Sequence, residues 1–362
     1  MATLDELVHY CKTENPVGAF MLTGEWGSGK THLIEKDLTA RLEDTHVIAR
    51  VSLFGLGSID ALHQAVKEAW ITACSPVLGR LVKDKERAQN NSKLLNTINS
   101  ILKGLNPTAG KAADLAVSLN ILDVITVEPE IEDIHDLKKK RVVLVFDDLE
   151  RSKLDLIAVM GAINNYCENQ KFNTIIVTNE SFLIRSLGHD LLKYQMLKGK
   201  TVSRTLFHIP DCKSAVSSII EERHWSSEAY KTYLQERKER IIELFSSAEF
   251  RPESSRSETV KSHNLLALIT SLDDFYRIFS HLTKAGVDNP DSWLFSFLAY
   301  SLTRKGGVFD NGELRFDCTD EEIQKLYPMF SPEFLFTSIR SWVSYGIWDK
   351  ELFDRELAET LR

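Results

Sequence analysis

The sequence predicts an α/β fold: a P-loop-type three-layer αβα core with a five-stranded parallel sheet, a helical insertion in its first half, and a helical C-terminal domain. Three observations lead there. Short apolar runs near 19–23, 46–53, 142–146, 174–178 and 204–209 alternate with stretches of helical periodicity. A glycine-rich loop, Gly24-Glu25-Trp26-Gly27-Ser28-Gly29-Lys30-Thr31, joins the first apolar run to a helical pattern. The run Val142-Val143-Leu144-Val145-Phe146 ends in two carboxylates, Asp147-Asp148. The expected division is a core over 1–210, with an insertion at about 59–136, and a helical lid or interaction domain over 211–362.

Each element follows from its residues. Leu4, Leu7, Val8 and Cys11 share a helical face, so residues 1–18 form a short helix and a turn. Ala19–Thr23 is apolar and short, as a buried strand is. Leu33, Ile34 and Leu38 then recur at helical spacing, and this helix runs to about Leu42. His46–Leu53 is the second strand, and Phe54-Gly55-Leu56-Gly57 is a turn. The stretch from Ile59 to Asp136 is far longer than an ordinary connection, so it is an insertion with its own helices, broken near Leu102–Gly110. The core resumes with the 142–146 strand, a helix near Lys153–Glu168, the strand Thr174–Thr178, a helix from Ser181, and a last strand, Arg204–Ile209, stopped by Pro210. Beyond Asp211 the pattern is mostly helical. Asn264–Leu282 and Ser292–Thr303 read as bundle core, and Arg251–Lys261 as a polar, mobile loop.

The loop 24–31 is a complete G-x-x-x-x-G-K-[ST], placed between a strand and a helix as that motif requires. Gly24, Gly27 and Gly29 let the backbone wrap phosphates closely. Glu25, Trp26, Ser28 and His32 belong to the same phosphate-facing stretch. Lys30 reaches the β- and γ-phosphates, and the Thr31 hydroxyl is placed to hold Mg²⁺. The helix that starts here turns its N–H groups and dipole toward the anion. Asp147 is the natural acidic partner for that metal, at the end of a strand where open α/β sheets bind ligands. Asp148 is the candidate for polarising the attacking water, and Glu150 is the fallback. Asp147, Asp148 and Glu150 also suit a helix N-terminus as simple caps, though the P-loop demands a metal partner of Asp147. Asn179, at the end of the next strand, is either a γ-phosphate sensor or a helix N-cap. Arg204, Lys200, Arg151 and Arg185 are the cations available to a γ-phosphate. The expected cofactors are ATP and Mg²⁺.

Bulk properties remove other classes. The formal charge of −8 gives no overall field for nucleic acid or anionic lipid, though a local basic patch stays open. The clearest basic run, Lys138-Lys139-Lys140-Arg141, abuts a strand and suits a solvated strand entry. Five scattered cysteines with no C-x-x-C argue for reduced thiols in a cytoplasmic protein, against zinc or a disulfide scaffold. The N-terminus carries no signal-peptide pattern, and no stretch is long and apolar enough to span a membrane. Ala112–Val127 comes nearest, interrupted by Asp114, Asn120 and Asp123. There is no N-K-x-D, no L-S-G-G-Q and no H-E-x-x-H. With one strand between the two acid-and-phosphate elements and a sensor-like strand after them, the order suits ATPases that place an extra strand beside the P-loop strand.

The loop Gly24–Thr31 together with Asp147-Asp148-Leu149-Glu150-Arg151 resembles the KAP family of P-loop NTPases, whose loop typically reads G-E-W-G-S-G-K and whose acidic strand ends D-D-L-D-R. Trp26 is the distinctive letter, and as a plain residue it would shield the loop. Ser52-Leu53-Phe54-Gly55 and Asn264–Leu282 are similar to the family's second strand and C-terminal helices. The resemblance implies an ATPase of the AAA-like, signal-transducing kind. It implies bacterial relatives that occur in antiphage defence or on mobile elements with a partner effector. Many relatives carry membrane segments between the glycine loop and the acidic strand; here that insertion is too polar. Two departures stand out. Gln195–Thr201 keeps only the second half of an E-K-x-x-G-[KR]-T pattern, and Asn264-Leu265-Leu266 stands where relatives show N-[LI]-R.

Two functions compete on these residues. One is an ATP-hydrolysing switch whose output is self-association or release of a partner. The other is a scaffold that binds DNA or an effector and holds ATP structurally.

Overall fold

The computed structural model describes residues 2–74, 140–246, 260–310 and 313–361. Most of the expected insertion, with its break near Leu102–Gly110 and the apolar stretch Ala112–Val127, lies outside the described residues. So do Lys138, Lys139 and nearly all of the polar loop at 251–261. The described chain forms two compact units, one of residues 1–24 and 30–208, the other of residues 25–29 and 209–362.

The first unit is built on a five-stranded parallel sheet in the order β2-β3-β4-β1-β5. Its strands are β1 (Ala19–Thr23), β2 (His46–Ser52), β3 (Arg141–Asp147), β4 (Asn173–Thr178) and β5 (Val202–Phe207). The P-loop strand β1 is thus separated from the acidic strand β3 by β4, the arrangement expected from the motif order. Before the first strand runs α1 (Ala2–Lys12), and between the strands run α2 (Lys30–His32), a π-helical turn (Leu33–Leu38), α3 (Thr39–Leu42), α4 (Ile59–Cys74), α5 (Leu156–Asn164), α6 (Glu180–Leu187) and α7 (Leu191–Thr201).

Side-chain alternation along the strands divides the core into two layers. Val143, Val145, Ile175, Val177, Phe20 and Leu22 face α1 and the α2–α3 segment. Leu144, Phe146, Ile176, Met21, Ala49 and Val51 face the opposite way, toward α4, α5 and α7. β1, β3 and β4 are buried on both sides, which is why they read as continuous apolar runs. Tyr10 fixes α1 beneath the sheet. Its hydroxyl shares one hydrogen between the Gly18 and Thr174 carbonyls, at 2.9 and 3.0 Å, and accepts from the Thr174 N–H, and its ring stacks on Phe20 at 4.0 Å.

The second unit is mainly helical. It contains α8 (Cys212–Glu222), α9 (Glu228–Glu236), α10 (Lys238–Phe245), α11 (Leu265–Lys284), α12 (Asp291–Gly306), α13 (Asp320–Leu326), α14 (Thr337–Tyr345) and α15 (Lys350–Thr360). On α11, Leu268, Leu272, Phe275, Ile278 and Leu282 form one buried stripe against α12, whose residues 293–303 are buried all round. Ser271 and Ser301 satisfy each other between these helices, hydroxyl to hydroxyl at 2.8 Å. A small antiparallel sheet of β6 (Val260–Lys261), β7 (Val308–Asp310) and β8 (Glu313–Arg315) was not expected. Its strands are two or three residues long, too short to show a period of two.

Among the described residues Cys11, Cys167, Cys212 and Cys318 are free thiols. Burial pushes the Cys11 thiol up to about 12 and the Cys167 thiol up to about 11, so both are poor nucleophiles. No described helix is long and apolar enough to cross a membrane.

Candidate functional site

The sheet delivers the candidate residues to the C-terminal ends of its strands. β1 ends at Thr23, whose hydroxyl accepts the Glu180 N–H at 3.0 Å. Gly24 follows, and its carbonyl accepts from the Lys30 ammonium at 2.8 Å. Lys30 and Thr31 open α2, and Thr31 turns its hydroxyl onto Asp147 Oδ2 at 3.0 Å. Asp147 is the last residue of β3, on the same face as Val143 and Val145, and it is buried. Its other oxygen, Oδ1, accepts the Asp148 N–H at 2.8 Å. His32 follows in α2 and points to solvent.

Residues 25–29 group with the second unit. The Ser28 N–H returns to the Glu25 carbonyl at 3.3 Å, closing a tight turn. Gly27 and Gly29 have φ of 71° and 88°, backbone that an L side chain rarely adopts. At Gly27 the approach is also close. A Cβ there would lie 2.1 Å from Asn264 Oδ1, and the Gly27 carbonyl accepts the Leu265 N–H at 2.9 Å. Asn264 caps α11, its side chain accepting from the Ala267 N–H at 3.0 Å. Trp26 is partly exposed.

Two residues that the motifs did not single out complete the acidic end. Arg50, on edge strand β2, donates to Asp147 Oδ2 from Nε at 2.9 Å and from Nη2 at 2.8 Å. Its Nη1 donates to Glu35 Oε1, in the π-helical turn after α2, at 2.8 Å. The available signal was positional: Ile48, Arg50 and Ser52 share a parity in β2, and a charge inside an apolar strand needs a partner. Ser52 pairs in register with Asp147 and donates its hydroxyl to Asp148 Oδ2 at 2.7 Å.

Asp148 lies in left-handed backbone at φ 61°, ψ 36°. Such conformations in a non-glycine residue store roughly 1–3 kcal/mol and cluster at functional sites. Its Oδ1 faces Arg151 at 3.4 Å, and the Arg151 guanidinium lies over the Phe54 ring at 4.0 Å. Glu150 accepts the Thr178 hydroxyl at 3.0 Å, joining the turn after β3 to the end of β4. Asn179 caps α6, its Oδ1 accepting the Phe182 N–H at 3.1 Å. An amide can cap with its oxygen and still present its NH₂, so the cap leaves the sensor role open. Behind it, Tyr194 and Lys198 both donate to Glu180, and burial, then Glu180 itself, pushes the Tyr194 phenol up.

Arg204 is not brought to this end. Its register partner is Phe20, three residues before the end of β1, and it pairs with Glu6 of α1. Lys200 lies in the last turn of α7 and is exposed.

Among the described residues no cluster of three or more His, Cys, Asp or Glu could hold a metal ion. What the fold provides is a hydroxyl and a buried carboxylate in contact. That all-oxygen pair fits Mg²⁺, which takes one or two protein ligands and completes its shell with water and phosphate oxygens. Thr31 and Asp147 are the residues that would hold it.

No curated protein matches the chain. The KAP family P-loop domain matches residues 2–284, more than half of the chain. That span takes in the glycine loop, the sheet with its acidic strand and α11, and the chain belongs to the KAP family of P-loop NTPases.

Proposed function

We propose that the chain binds and slowly hydrolyses ATP with Mg²⁺, and that the bound nucleotide sets a switch read by self-association or by a partner effector. The observation that carries this reading is the Thr31–Asp147 contact at 3.0 Å, with Lys30 adjacent in the chain. It joins the glycine loop to the acidic strand through the groups a metal–nucleotide needs. When bound, Mg²⁺ neutralises charge on the phosphate oxygens. Lys30 binds those oxygens as a point charge, and Gly24–Gly29 offers backbone N–H groups. Asp148, held by Ser52, orients water and takes up its proton. Glu150 is the alternative base, and Asn179 offers its amide to the γ-phosphate or the water. The family resemblance supports a place in bacterial antiphage defence or signalling, the toxic chemistry residing in the partner.

Two observations favour the second reading, a scaffold holding ATP without turnover. Asp147 is already ion-paired with Arg50, and no arginine follows Asn264-Leu265 to act as a sensor. Light scattering with and without ATP–Mg²⁺, alongside phosphate release, tests the switch. A nucleotide-dependent mass that is lost in Lys30→Ala and locked in Asp148→Asn supports it. Bound ATP with no release and no change in mass or partner binding contradicts it.

A further inference from the structure

Arg50 makes two hydrogen bonds to Oδ2 of Asp147, the same oxygen that accepts the Thr31 hydroxyl. Oδ1 accepts the Asp148 N–H. A cation held jointly by Thr31 and Asp147 therefore draws on the oxygen that Arg50 occupies. The Asp147 side chain is 7% exposed and that of Arg50 32%, so the pair is only partly screened by water. Arg50 also has a second anchor, since its Nη1 holds Glu35, whose side chain is 52% exposed. The guanidinium thus has two acidic partners, one buried and one exposed.

We propose that Arg50 is a built-in competitor for the divalent cation at Asp147. In the nucleotide-free protein it neutralises the buried carboxylate and opposes metal there by like-charge repulsion. Displaced from Asp147, it remains paired with Glu35. On the nucleotide-site reading, on which this consequence rests, phosphate charge must help the cation against Arg50. Metal then enters with the nucleotide and not ahead of it. Arg50 is a positioning residue in this role, acting on Asp147.

The test is Mn²⁺ binding to nucleotide-free full-length protein, read by the electron paramagnetic resonance of the free ion. Arg50→Gln is expected to bind Mn²⁺ about tenfold or more tighter than wild type. The gain should vanish in Arg50→Gln/Asp147→Asn. Arg50→Lys keeps a charge but loses the two-bond fork, and its gain should be smaller, about threefold. Unchanged or weaker Mn²⁺ binding by folded Arg50→Gln overturns the proposal, as does a gain that survives removal of Asp147. If circular dichroism shows Arg50→Gln unfolded, Arg50→Lys decides, and no gain in it overturns the proposal. Failure of the nucleotide-site reading shows separately, as absence of ATP binding by wild type.

Discussion

Thr31 and Asp147 are 116 residues apart in the chain and 3.0 Å apart in the fold, hydroxyl to carboxylate. The contact exists because Asp147 shares the parity of Val143 and Val145, the face of the sheet on which the segment after β1 packs. It unites the two sequence motifs in one local geometry.

Asp148→Asn should keep the fold, because asparagine tolerates left-handed backbone and can still accept from Ser52. Nucleotide affinity should change little. The single-turnover rate of phosphate release should fall by about 10²–10⁴, the usual contribution of a general base. If Glu150→Gln produces that fall instead and Asp148→Asn does not, the two carboxylates exchange roles.

Asn179 separates cap from sensor. Asn179→Asp keeps the oxygen that caps α6 and removes the amide NH₂. A melting temperature close to wild type with slowed turnover is the expected result. Asn179→Ala should lose the cap as well, at about 1 kcal/mol. Equal turnover in Asn179→Asp and wild type would leave Asn179 as a cap alone.

Gly27→Ala meets two obstacles, a φ of 71° and Asn264 Oδ1 at 2.1 Å from the new Cβ. Relief requires Asn264 to give up its cap on α11. The cost should be about 2 kcal/mol or more, from left-handed strain plus the lost cap. Adding Asn264→Ala should make the pair less than additive in a double-mutant thermal series.

Glu322 predicts a pH dependence in the second unit. The bonded Arg315 guanidinium, then the Thr319 N–H of the capping box, hold its carboxyl down at about 2, against an ordinary 4.5. A depressed folded value stabilises above the unfolded value and is lost as pH falls through the folded one. Glu322→Gln should therefore melt below wild type at pH 7, and the gap should close between pH 4.5 and pH 2.

Much of the nucleotide end is local and was legible. Strand, glycine loop and helix are contiguous, and buried parallel strands announce themselves as apolar runs. Asp147 was legible because it ends such a run. Arg50 was not, because its partner lies 97 residues away and its role depends on which strand β2 pairs with and in which register. Arg204 shows the same dependence on register. It lies in a core strand, but the β1–β5 register sets it beside Phe20, near Glu6, and not at the phosphate end. Asn179 carried both its meanings in sequence, and the fold shows the cap. The small β6-β7-β8 sheet has strands too short for any pattern to register.

The most direct test is equilibrium binding of a fluorescent, non-hydrolysable ATP analogue with and without Mg²⁺, in wild type, Lys30→Ala and Asp147→Asn. Wild type should bind, and more tightly with Mg²⁺. Lys30→Ala should lose at least about tenfold, since a charged hydrogen bond to phosphate contributes roughly 1.5–3 kcal/mol. Asp147→Asn should bind with the Mg²⁺ enhancement gone. Equal affinity in wild type and Lys30→Ala, or an undiminished Mg²⁺ effect in Asp147→Asn, would contradict a metal–nucleotide site at Lys30, Thr31 and Asp147.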